Sequence, residues 1–499
     1  MDTKADFIGR KIELDLLDNL WVSGRSSLVI LYGRRRVGKT RLLTHWLKTQ
    51  GVDSGFYWMA EATSPHDQLR SFTQAFTAFE DPELTIHKDL TFPTWEHSFR
   101  QIAKLAQNQR VAVLIDEVTY IMEIVPEFVA SLQKAWDQWL KDSQVMLVLS
   151  GSDLGLIEKG LLSYRAPLYG REAARMQLTP LPYSATKLFF PDYDARERIK
   201  IFGMWGGIPA YWERLNKPEE SVMENLKQQL RLSNNWLVEE ARILLRDFIT
   251  DTHNFVGILR AVSEGYEVFS EISERAGIST GHTSRYLSIL RETGFVERTT
   301  PVSDKNPDKS RKGRYIVTDP YLRFYYRYLS TSQSKVAMGR TNELVETIEA
   351  DLPDFIGKTW IGLCQHWVAL AGAQGRLPVA VDEIGSEWKG NSGYIDVYGI
   401  NEKEKTLVLG CCFWNDEPLA LQMMADWFSD GELISMLPKG KWSVHLMGFA
   451  ASGWASNETA GLLKTAQALT RKWNVAGVHL LDLDEIDSDL FKWTIENGR

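Results

Sequence analysis

The residues with the clearest chemistry lie in the segment Gly-Arg-Arg-Arg-Val-Gly-Lys-Thr, which runs from Gly33 to Thr40. An apolar run ending at Tyr32 precedes this segment and a helical pattern follows it, as a phosphate-binding loop requires. Glycines let the backbone fold around phosphates, and the helix N-terminus adds partial positive charge. We expect Lys39 to reach the β and γ phosphates of a nucleotide and Thr40 to bind Mg²⁺. The alternative is a chance glycine-rich turn.

A second motif is the apolar run Val111 to Ile115, which is followed by Asp116 and Glu117. It is typical of a buried strand that opens onto a ligand. We expect Asp116 to hold Mg²⁺ through water and Glu117 to activate the attacking water as a general base. The alternative is that the two acids only cap the next helix. A third apolar run ends in Ser150-Gly151-Ser152, where a hydroxyl either senses the γ-phosphate or is ordinary polarity at a strand end.

The elements that must position these residues follow a strand-helix-strand rhythm in the first part of the chain. This rhythm predicts an α/β fold with a parallel sheet and helices on its faces, and the phosphate-binding loop makes it the sheet of a P-loop NTPase. The later pattern is helical and polar, then mixed, then α/β again. We therefore predict a nucleotide-binding core at 1–181, a helical lid at 182–251, a winged helix-turn-helix at 252–329 and an α/β domain at 342–499. The Ser- and Thr-rich stretch 330–341 is the expected linker.

Composition limits the remaining classes of protein. The chain has 499 residues, a formal net charge of −8 and 44% hydrophobic residues, which suits several folded domains and excludes a uniformly basic nucleic-acid coat. The start lacks the apolar stretch of a signal peptide and the longest apolar runs are strand-sized, so we expect a cytoplasmic protein with no membrane contact. The three cysteines (Cys364, Cys411 and Cys412) have the spacing of neither a zinc site nor a disulfide framework.

A DNA-binding function is suggested by three short helical patterns followed by two strand-like pieces between residues 255 and 318. This is the order of a winged helix-turn-helix. Its third helix would enter the major groove by its first residues, and its wing would meet phosphates. The alternative is a packing or regulatory module with a solvated loop. The candidate groove residues are Thr280, His282, Thr283, Ser284 and Arg285, and the candidate wing residues are Lys305, Lys309, Arg311, Lys312 and Arg314.

The phosphate-binding loop, the strand that ends before Asp116 and Glu117, and several further motifs occur in one order along the chain. This order resembles that of the archaeal-type P-loop ATPases of prokaryotes, relatives of the STAND and AAA+ groups. The resemblance implies ATP as the nucleotide, with the segment Phe7-Ile8-Gly9-Arg10 beside the adenine and a Gly-Ile-Pro segment ending at Pro209 closing over it. One departure is Lys11, where the usual pattern carries an acid. The expected nucleotide-binding residues are Phe7, Ile8, Gly9, Arg10, Gly33, Arg34, Arg35, Arg36, Val37, Gly38, Lys39, Thr40, Arg41 and Pro209.

Two arginines flank the segment Pro167-Leu168-Tyr169-Gly170, which is among the resembling motifs. The guanidinium of Arg171, and less so that of Arg165, is a candidate to stabilise charge on the γ-phosphate. It would act within its own chain or across the interface of a homo-oligomer. The alternative is a solvated surface arginine. The expected catalytic residues are Glu117, Lys39 and Arg171.

The last segment is similar to the restriction-endonuclease-like, or PD-(D/E)XK nuclease-like, domain common in the same ATPases. Asp396 fits the first acid of such a site. The next strand carries Cys411 and Phe413 where intact members have Glu and Lys, and Trp360 lies where the helical Glu is expected. Because a lone acid cannot assemble the metal site, we expect an inactive scaffold or docking surface. The alternative is a working nuclease in which Glu383 and Glu387 replace the lost metal ligands.

The leading interpretation is an ATP-driven molecular switch in which nucleotide closes the core against its lid and the winged helix and C-terminal domain respond. ATP and Mg²⁺ are the expected cofactors, and DNA is the expected partner. The second interpretation is an ATP-sensing, DNA-binding regulator with little turnover. A nuclease effector is the third.

Overall fold

The computed structural model describes residues 7–51, 54–215, 220–231, 236–246, 253–389, 392–429, 435–456, 459–469 and 474–496. The chain forms two compact units. One holds the residues up to Leu181 together with Ile208–Tyr211, and the other holds Pro182–Gly207 and the residues from Trp212 onward.

The first unit alternates strands and helices, as its strand-helix-strand rhythm predicts. Its elements are α1 (Lys11–Val22), β1 (Ser27–Tyr32), α2 (Lys39–Gln50), β2 (Gly55–Met59), α3 (Pro65–Glu80), α4 (Trp95–Asn108), β3 (Val111–Asp116), α5 (Thr119–Ile124), α6 (Phe128–Gln138), β4 (Val145–Gly151), α7 (Leu154–Ile157) and β5 (Ala174–Gln177).

The strands of this unit form one five-stranded parallel sheet in the order β2-β3-β4-β1-β5. The central strands β3 and β4 are buried along their whole length. A parallel sheet is covered by helices on both faces, so its strands are continuous apolar runs instead of alternating ones. One face packs against an aromatic cluster that includes Phe72, Trp95 and Phe128. The other packs against Leu42 and Trp46 of α2. The predicted parallel sheet is confirmed.

The second unit begins with helices and continues through two smaller sheets. Its elements are α8 (Thr186–Phe189), α9 (Ala195–Trp205), α10 (Pro209–Trp212, most of it grouped with the first unit), α11 (Val222–Arg231), α12 (Trp236–Arg246), α13 (His253–Ser263), α14 (Phe269–Ala276), α15 (Thr280–Glu292), β6 (Val296–Thr299), β7 (Arg314–Val317), α16 (Pro320–Phe324), α17 (Gln333–Ala337), α18 (Thr341–Ala371), β8 (Glu383–Lys389), β9 (Ser392–Asn401), β10 (Thr406–Phe413), α19 (Leu421–Phe428), β11 (Ser443–Ala450), α20 (Ala460–Leu469), β12 (Asn474–Leu481) and α21 (Leu483–Phe491).

The helices α13, α14 and α15 and the antiparallel pair β6-β7 are the predicted winged helix-turn-helix. The turn between α14 and α15 begins at Gly277, whose φ of 66° is left-handed and therefore favours glycine. Ile272, Leu287 and Leu290 are buried beneath these helices.

The C-terminal sheet has the order β12-β11-β10-β9-β8. Strands β8, β9 and β10 are antiparallel neighbours, whereas β10, β11 and β12 are parallel. The long helix α18 contacts β8, β9 and β10. The separate C-terminal α/β domain is thus present. The predicted linker 330–341 differs from the structure, because it contains α17, which packs against α18.

Among the described residues, no helix is both long enough and apolar enough to cross a membrane.

Candidate functional site

The segment Gly33–Thr40, which we call the phosphate loop, connects β1 to α2 at the carboxyl edge of the parallel sheet. A Cβ at Gly33 would collide with the carbonyl oxygen of Leu178, and Gly38 has a left-handed φ of 103°, so both positions need glycine. The side chain of Lys39 folds back into the loop, where its Nζ donates to the carbonyl oxygens of Gly33 at 2.9 Å and Arg34 at 3.2 Å. Burial lowers the pKa of Lys39, and the charges of Glu117 and Asp116 act in the opposite direction. The ammonium group of Lys39 therefore lies inside the loop, beside the carbonyl oxygens of Gly33 and Arg34.

Asp116 ends β3 and is fully buried beside the start of α2. Its Oδ2 accepts hydrogen bonds from Thr40 Oγ1 at 2.6 Å and from Tyr57 Oη at 2.9 Å. Its Oδ1 accepts from the backbone N–H of Glu117 at 3.0 Å. A hydroxyl and a carboxylate oxygen this close are oxygen ligands of the kind that Mg²⁺ prefers, so the residues fit the expected metal.

Glu117 has a left-handed backbone, with φ at 50°. This conformation is costly for a residue with a side chain, by about 1–2 kcal/mol, and such strain is concentrated at functional positions. The Glu117 Oε2 accepts a hydrogen bond from Ser152 Oγ at 2.7 Å, and the N–H of Val118 donates to the carbonyl of Ser150 at 2.8 Å. The end of β4 thus holds Glu117, the acid that follows β3, in one orientation.

Arg10 fastens the N-terminal segment to the phosphate loop. Its guanidinium donates to the carbonyl oxygens of Val37 at 3.2 Å and Thr179 at 2.6 Å, and to Glu13 at 3.2 Å. Arg10 therefore has an acidic partner in Glu13, although Lys11 is basic. Burial lowers the pKa of Arg10, and Glu13 counteracts it. The ring of Phe7 stacks on His45 of α2, with 4.4 Å between centroids.

Two of the three arginines inside the phosphate loop contact tyrosines. Arg35 donates to the hydroxyl of Tyr120 at 3.1 Å and Arg34 to that of Tyr211 at 3.5 Å. Tyr211 belongs to the segment Ile208–Tyr211, which includes Pro209 and is part of the first unit. Ile208 and Pro209 of the predicted Gly-Ile-Pro segment are thus grouped with the first unit, whereas Gly207 is grouped with the second.

The winged helix-turn-helix exposes most, but not all, of its predicted DNA-binding residues. Thr283 is fully buried, and its hydroxyl bonds to Ser273 at 3.2 Å and to the carbonyl of Ser279 at 3.1 Å. Thr283 was therefore wrongly included among the groove residues, because it joins α15 to the preceding turn. The exposed members of the predicted set are Thr280, His282, Ser284, Arg285, Lys305, Lys309, Arg311 and Lys312.

Arg314, predicted to meet DNA from the wing, packs instead against the C-terminal sheet. Its guanidinium lies over the rings of Trp388 at 4.9 Å and Tyr394 at 5.4 Å, and it reaches Glu267 at 3.7 Å. It is the first residue of β7, at the end of the wing loop, and these contacts involve it in packing.

These features agree with what the family comparison finds. Residues 7–215 match the model of an ATPase domain found predominantly in Archaea. In addition, residues 256–298 match the model of bacterial regulatory proteins of the ArsR family, which is a helix-turn-helix model, and residues 325–424 match a model described as archaeal and bacterial proteins of unknown function. The chain therefore carries an archaeal-type ATPase domain followed by a helix-turn-helix.

Three proteins are similar to most of the chain in sequence or in structure. An uncharacterised protein of Methanocaldococcus jannaschii is 27% identical over 410 residues, which is 82% of this chain and 88% of the relative. A Walker-type ATPase of Pyrococcus abyssi has 21% identity and a TM-score of 0.49, with 65% of this chain and 97% of that chain covered. The Orc2 protein of Aeropyrum pernix, solved in ADPNP and ADP complexes, has 13% identity and a TM-score of 0.42, with 68% and 95% covered.

Within the archaeal-type ATPase domain, Arg171 lies far from the phosphate loop. It precedes β5, whose first residue pairs with Val29, and the neighbouring Ala173 donates to the carbonyl of Leu28 at 2.7 Å. Arg171 is therefore at the amino end of β1, roughly 15–20 Å along the strand from the loop that follows Tyr32. Its guanidinium forms a two-bond ion pair with Asp137, at 2.8 and 2.9 Å. A role at the γ-phosphate of its own chain does not fit this position.

The remaining candidates lie outside the ATPase domain, in the C-terminal sheet. Asp396 on β9 accepts the backbone N–H of Cys412 at 2.8 Å, and burial raises its pKa to about 6. Glu387, a suggested substitute ligand, instead accepts from the N–H of Ser303 at 2.9 Å and its hydroxyl at 2.7 Å. Among the described residues no cluster of three or more His, Cys, Asp or Glu side chains is arranged to hold a metal ion.

Sequence reasoning missed four partners of the site: Tyr57, Tyr120, Thr179 and Tyr211. Tyr57 lies on β2, a strand that no motif marks, and backbone carbonyls such as that of Thr179 leave no sequence signal.

Proposed function

We propose that this protein is a Mg²⁺-dependent ATPase that acts as a molecular switch. The observation that carries the proposal is the convergence of Lys39, Thr40, Asp116 and Glu117 at one edge of a parallel sheet. The match to an archaeal-type ATPase domain supports the same activity. Nucleoside triphosphate hydrolysis needs little covalent chemistry from the protein, because positioning and charge stabilisation provide most of the catalysis.

Each residue has one task in this proposal. Lys39 holds the β and γ phosphates, and its ammonium already lies inside the loop. Thr40 and Asp116 are the residues that would hold Mg²⁺, which neutralises charge on the phosphate oxygens when bound. Glu117 accepts the proton of the attacking water, and Ser152 keeps the Glu117 carboxylate oriented.

The nucleotide base would be recognised by the N-terminal segment. Arg10 ties Phe7-Ile8-Gly9 to the phosphate loop through Val37, and Pro209 lies in the segment Ile208–Tyr211, which is grouped with the first unit. Both features support the proposed contact of Phe7–Arg10 with adenine and the proposed closure of Pro209 over the nucleotide. In this proposal, nucleotide binding changes the position of Tyr211 and thereby affects the helices that follow it in the chain.

The proposed output is DNA binding by the winged helix. Its third helix presents Thr280, His282, Ser284 and Arg285 to solvent, and its wing presents four exposed cations. Helix-turn-helix proteins read base edges from the start of the third helix, and wing cations neutralise phosphates. The match to ArsR-type regulators supports this part of the proposal.

The test compares phosphate release and ATP binding in three full-length proteins. We expect wild type to release phosphate only with Mg²⁺, Glu117→Gln to bind ATP but to lose at least about 100-fold in turnover, and Lys39→Ala to lose binding. Glu127→Gln is the matched control, because Glu127 is an exposed acid at the start of α6. Unchanged turnover in Glu117→Gln would remove the proposed general base.

A second candidate function is an ATP-sensing regulator with little turnover. The observation that favours it is the Ser152–Glu117 bond, since an acid engaged by a serine is less available as a base. Tight ATP binding without phosphate release in wild type, together with ATP-dependent DNA affinity, would support the regulator and contradict the ATPase.

For the C-terminal sheet we propose a restriction-endonuclease-like origin without catalysis. Asp396 has no second acid and no lysine beside it among the described contacts, and Glu387 is occupied by Ser303. We expect no Mg²⁺- or Mn²⁺-dependent cleavage of DNA or RNA. Cleavage that disappears in Asp396→Asn would overturn this.

A further inference from the structure

The second unit contains a cavity of about 1040 Å³ between the winged helix and the C-terminal sheet. Residues of β6, β7, α18, β8 and β9 line it, and we call it the β7–α18 cavity. Pockets for small molecules usually measure about 300–1,000 Å³, so a nucleotide-sized molecule would fit.

The walls of the β7–α18 cavity are joined by hydrogen bonds. The wing is the loop between β6 and β7, and both of its ends form hydrogen bonds with β8. The N–H of Val302 donates to the carbonyl of Ser386 at 3.3 Å, and Trp388 Nε1 donates to the carbonyl of Lys312 at 3.1 Å. Ser303 makes two further bonds to Glu387. The cavity is therefore built from elements that hold one another, as a preformed binding site requires.

Positive charge exceeds negative charge along the cavity wall. The basic side chains are Arg298, Arg314, Arg323 and Lys358, and the acidic ones are Glu267, Glu297 and Asp354. Glu267 is shared by Arg314 and Lys358, and Asp354 pairs with Arg327 at 2.7 Å. The acids thus leave the cations of the cavity only partly compensated.

Arg323 is the decisive cation. Its Nη2 donates to Thr359 Oγ1 at 2.9 Å and its guanidinium lies 4.7 Å from the ring centroid of Phe355, but its buried Nε has no hydrogen-bond partner. Across the part of the chain that the structure describes, no carboxylate lies within ion-pair distance of Arg323. Burial, followed by the charge of Arg327, lowers the pKa of Arg323 to about 10. A partly buried guanidinium without an acid is costly unless an anion binds it.

Aromatic rings line the same cavity, and the guanidinium of Arg314 lies over those of Trp388 and Tyr394. Trp388 and Tyr394 stack at 6.1 Å with 19° between their planes, and Tyr394 is 41% exposed. The wall also includes Trp414, and Gln365 and Ser386 add polar groups near Asp396. Guanidinium and ammonium groups beside aromatic rings are the chemistry that binds phosphate together with a planar base.

We propose that the β7–α18 cavity binds a phosphorylated nucleoside, with its phosphate on Arg323 and Lys358 and its base against Tyr394 and Trp414. A free mononucleotide and the 5′-phosphorylated end of a single strand share this chemistry. The proposal does not depend on the ATPase activity of the first unit.

The experiment measures binding by calorimetry to the full-length Lys39→Ala protein, in which the phosphate loop is disabled. The probes are the four 5′-mononucleotides, a 5′-phosphorylated trinucleotide, and inorganic phosphate. We expect saturable binding of at least one mononucleotide or of the trinucleotide, weakened at least about tenfold by Arg323→Met. Arg376→Met is the matched control, because Arg376 is an ion-paired arginine of the same unit that does not line the cavity.

The mononucleotide and trinucleotide probes distinguish the two possible ligands. Tighter binding of a mononucleotide identifies a free metabolite, and tighter binding of the trinucleotide identifies a strand end. Binding of inorganic phosphate alone, no saturable binding up to about 1 mM, or binding unchanged in Arg323→Met would overturn the proposal. If Arg323→Met lowers the melting temperature strongly, Lys358→Met and Tyr394→Ala provide the same test, and each is expected to weaken binding.

Discussion

The hydroxyl of Ser152 donates a hydrogen bond to the carboxylate of Glu117 at 2.7 Å, joining the end of β4 to the acid that follows β3. An oriented carboxylate can accept a proton only from water placed along its free lone pairs. The bond therefore sets the direction from which water would be activated.

Removal of this hydroxyl gives the first prediction. We expect Ser152→Ala to lower the rate of phosphate release about 3- to 30-fold while ATP affinity stays the same, because the bond orients a catalytic group without touching the ground-state phosphates. Single-turnover kinetics measures the rate. Ser163→Ala is the control, since that hydroxyl donates to the carbonyl of Lys159. An equal loss of ATP affinity would contradict a positioning role.

The second prediction concerns Tyr57, whose hydroxyl donates to Asp116 Oδ2. Burial and the charge of Asp116 raise the pKa of Tyr57, so the phenol remains a donor at neutral pH. We expect Tyr57→Phe to raise the Mg²⁺ concentration for half-maximal phosphate release about 2- to 10-fold, as the loss of one hydrogen bond to a charged group would. Tyr164→Phe, at a position that is 82% exposed, should leave the Mg²⁺ titration unchanged. A lower Mg²⁺ requirement in Tyr57→Phe would show that the phenol competes with the metal.

The third prediction separates DNA contacts from packing contacts in the winged helix. Arg311→Ala and Lys312→Ala should each reduce the salt slope of DNA binding by about one, since each removes an exposed cation from the wing. Arg314→Met should leave the slope unchanged and lower the melting temperature, because this arginine lies over Trp388 and Tyr394. Fluorescence anisotropy at several salt concentrations gives the slopes, with Lys403→Ala, an exposed lysine outside the winged helix, as the control. Equal slopes for all four variants would show that the wing does not bind DNA.

The fourth prediction uses the pKa of Asp396, which burial raises from 3.8 to about 6. Between these values the folded protein holds a proton that the unfolded chain has lost, so this group's contribution to stability is present below about pH 4 and is lost as the pH rises through 6. Asp396→Asn should therefore be more stable than wild type at pH 7.5, by about 1–3 kcal/mol, and no more stable at pH 4. Denaturant unfolding followed by tryptophan fluorescence at both pH values measures the difference. A stability gain that is the same at both pH values would mean that ionisation of Asp396 is not its cause.

The phosphate loop and the strands around it could be predicted from the sequence because these parts leave a local signal. The strands β1, β3 and β4 are continuous apolar runs, and glycines mark a loop where a Cβ would collide with Leu178. The position of Arg171 left no such signal. Its partner Asp137 is 34 residues away, and only the pairing of β5 with β1 shows which end of the sheet it occupies.

The errors in the winged helix have a similar cause. Thr283 and Arg314 have the residue types of DNA-binding positions, but α15 turns Thr283 toward Ser273 and the start of β7 turns Arg314 toward β8. Which face of a short helix is buried depends on its neighbours in space. The aromatic partner of Arg314 is 74 residues later in the chain, at Trp388.

The attachment of the wing to β8 has a consequence for the solution behaviour of the protein. Strand β8 is the last strand of its sheet, and the unpaired backbone groups of such a strand are a template on which another chain can add a strand. Val302 occupies part of that template through the carbonyl of Ser386, and Ser303 bonds to the side chain of Glu387 on the same strand. A shortened wing that lacks these two residues would expose the strand, and the resulting protein would be prone to aggregate.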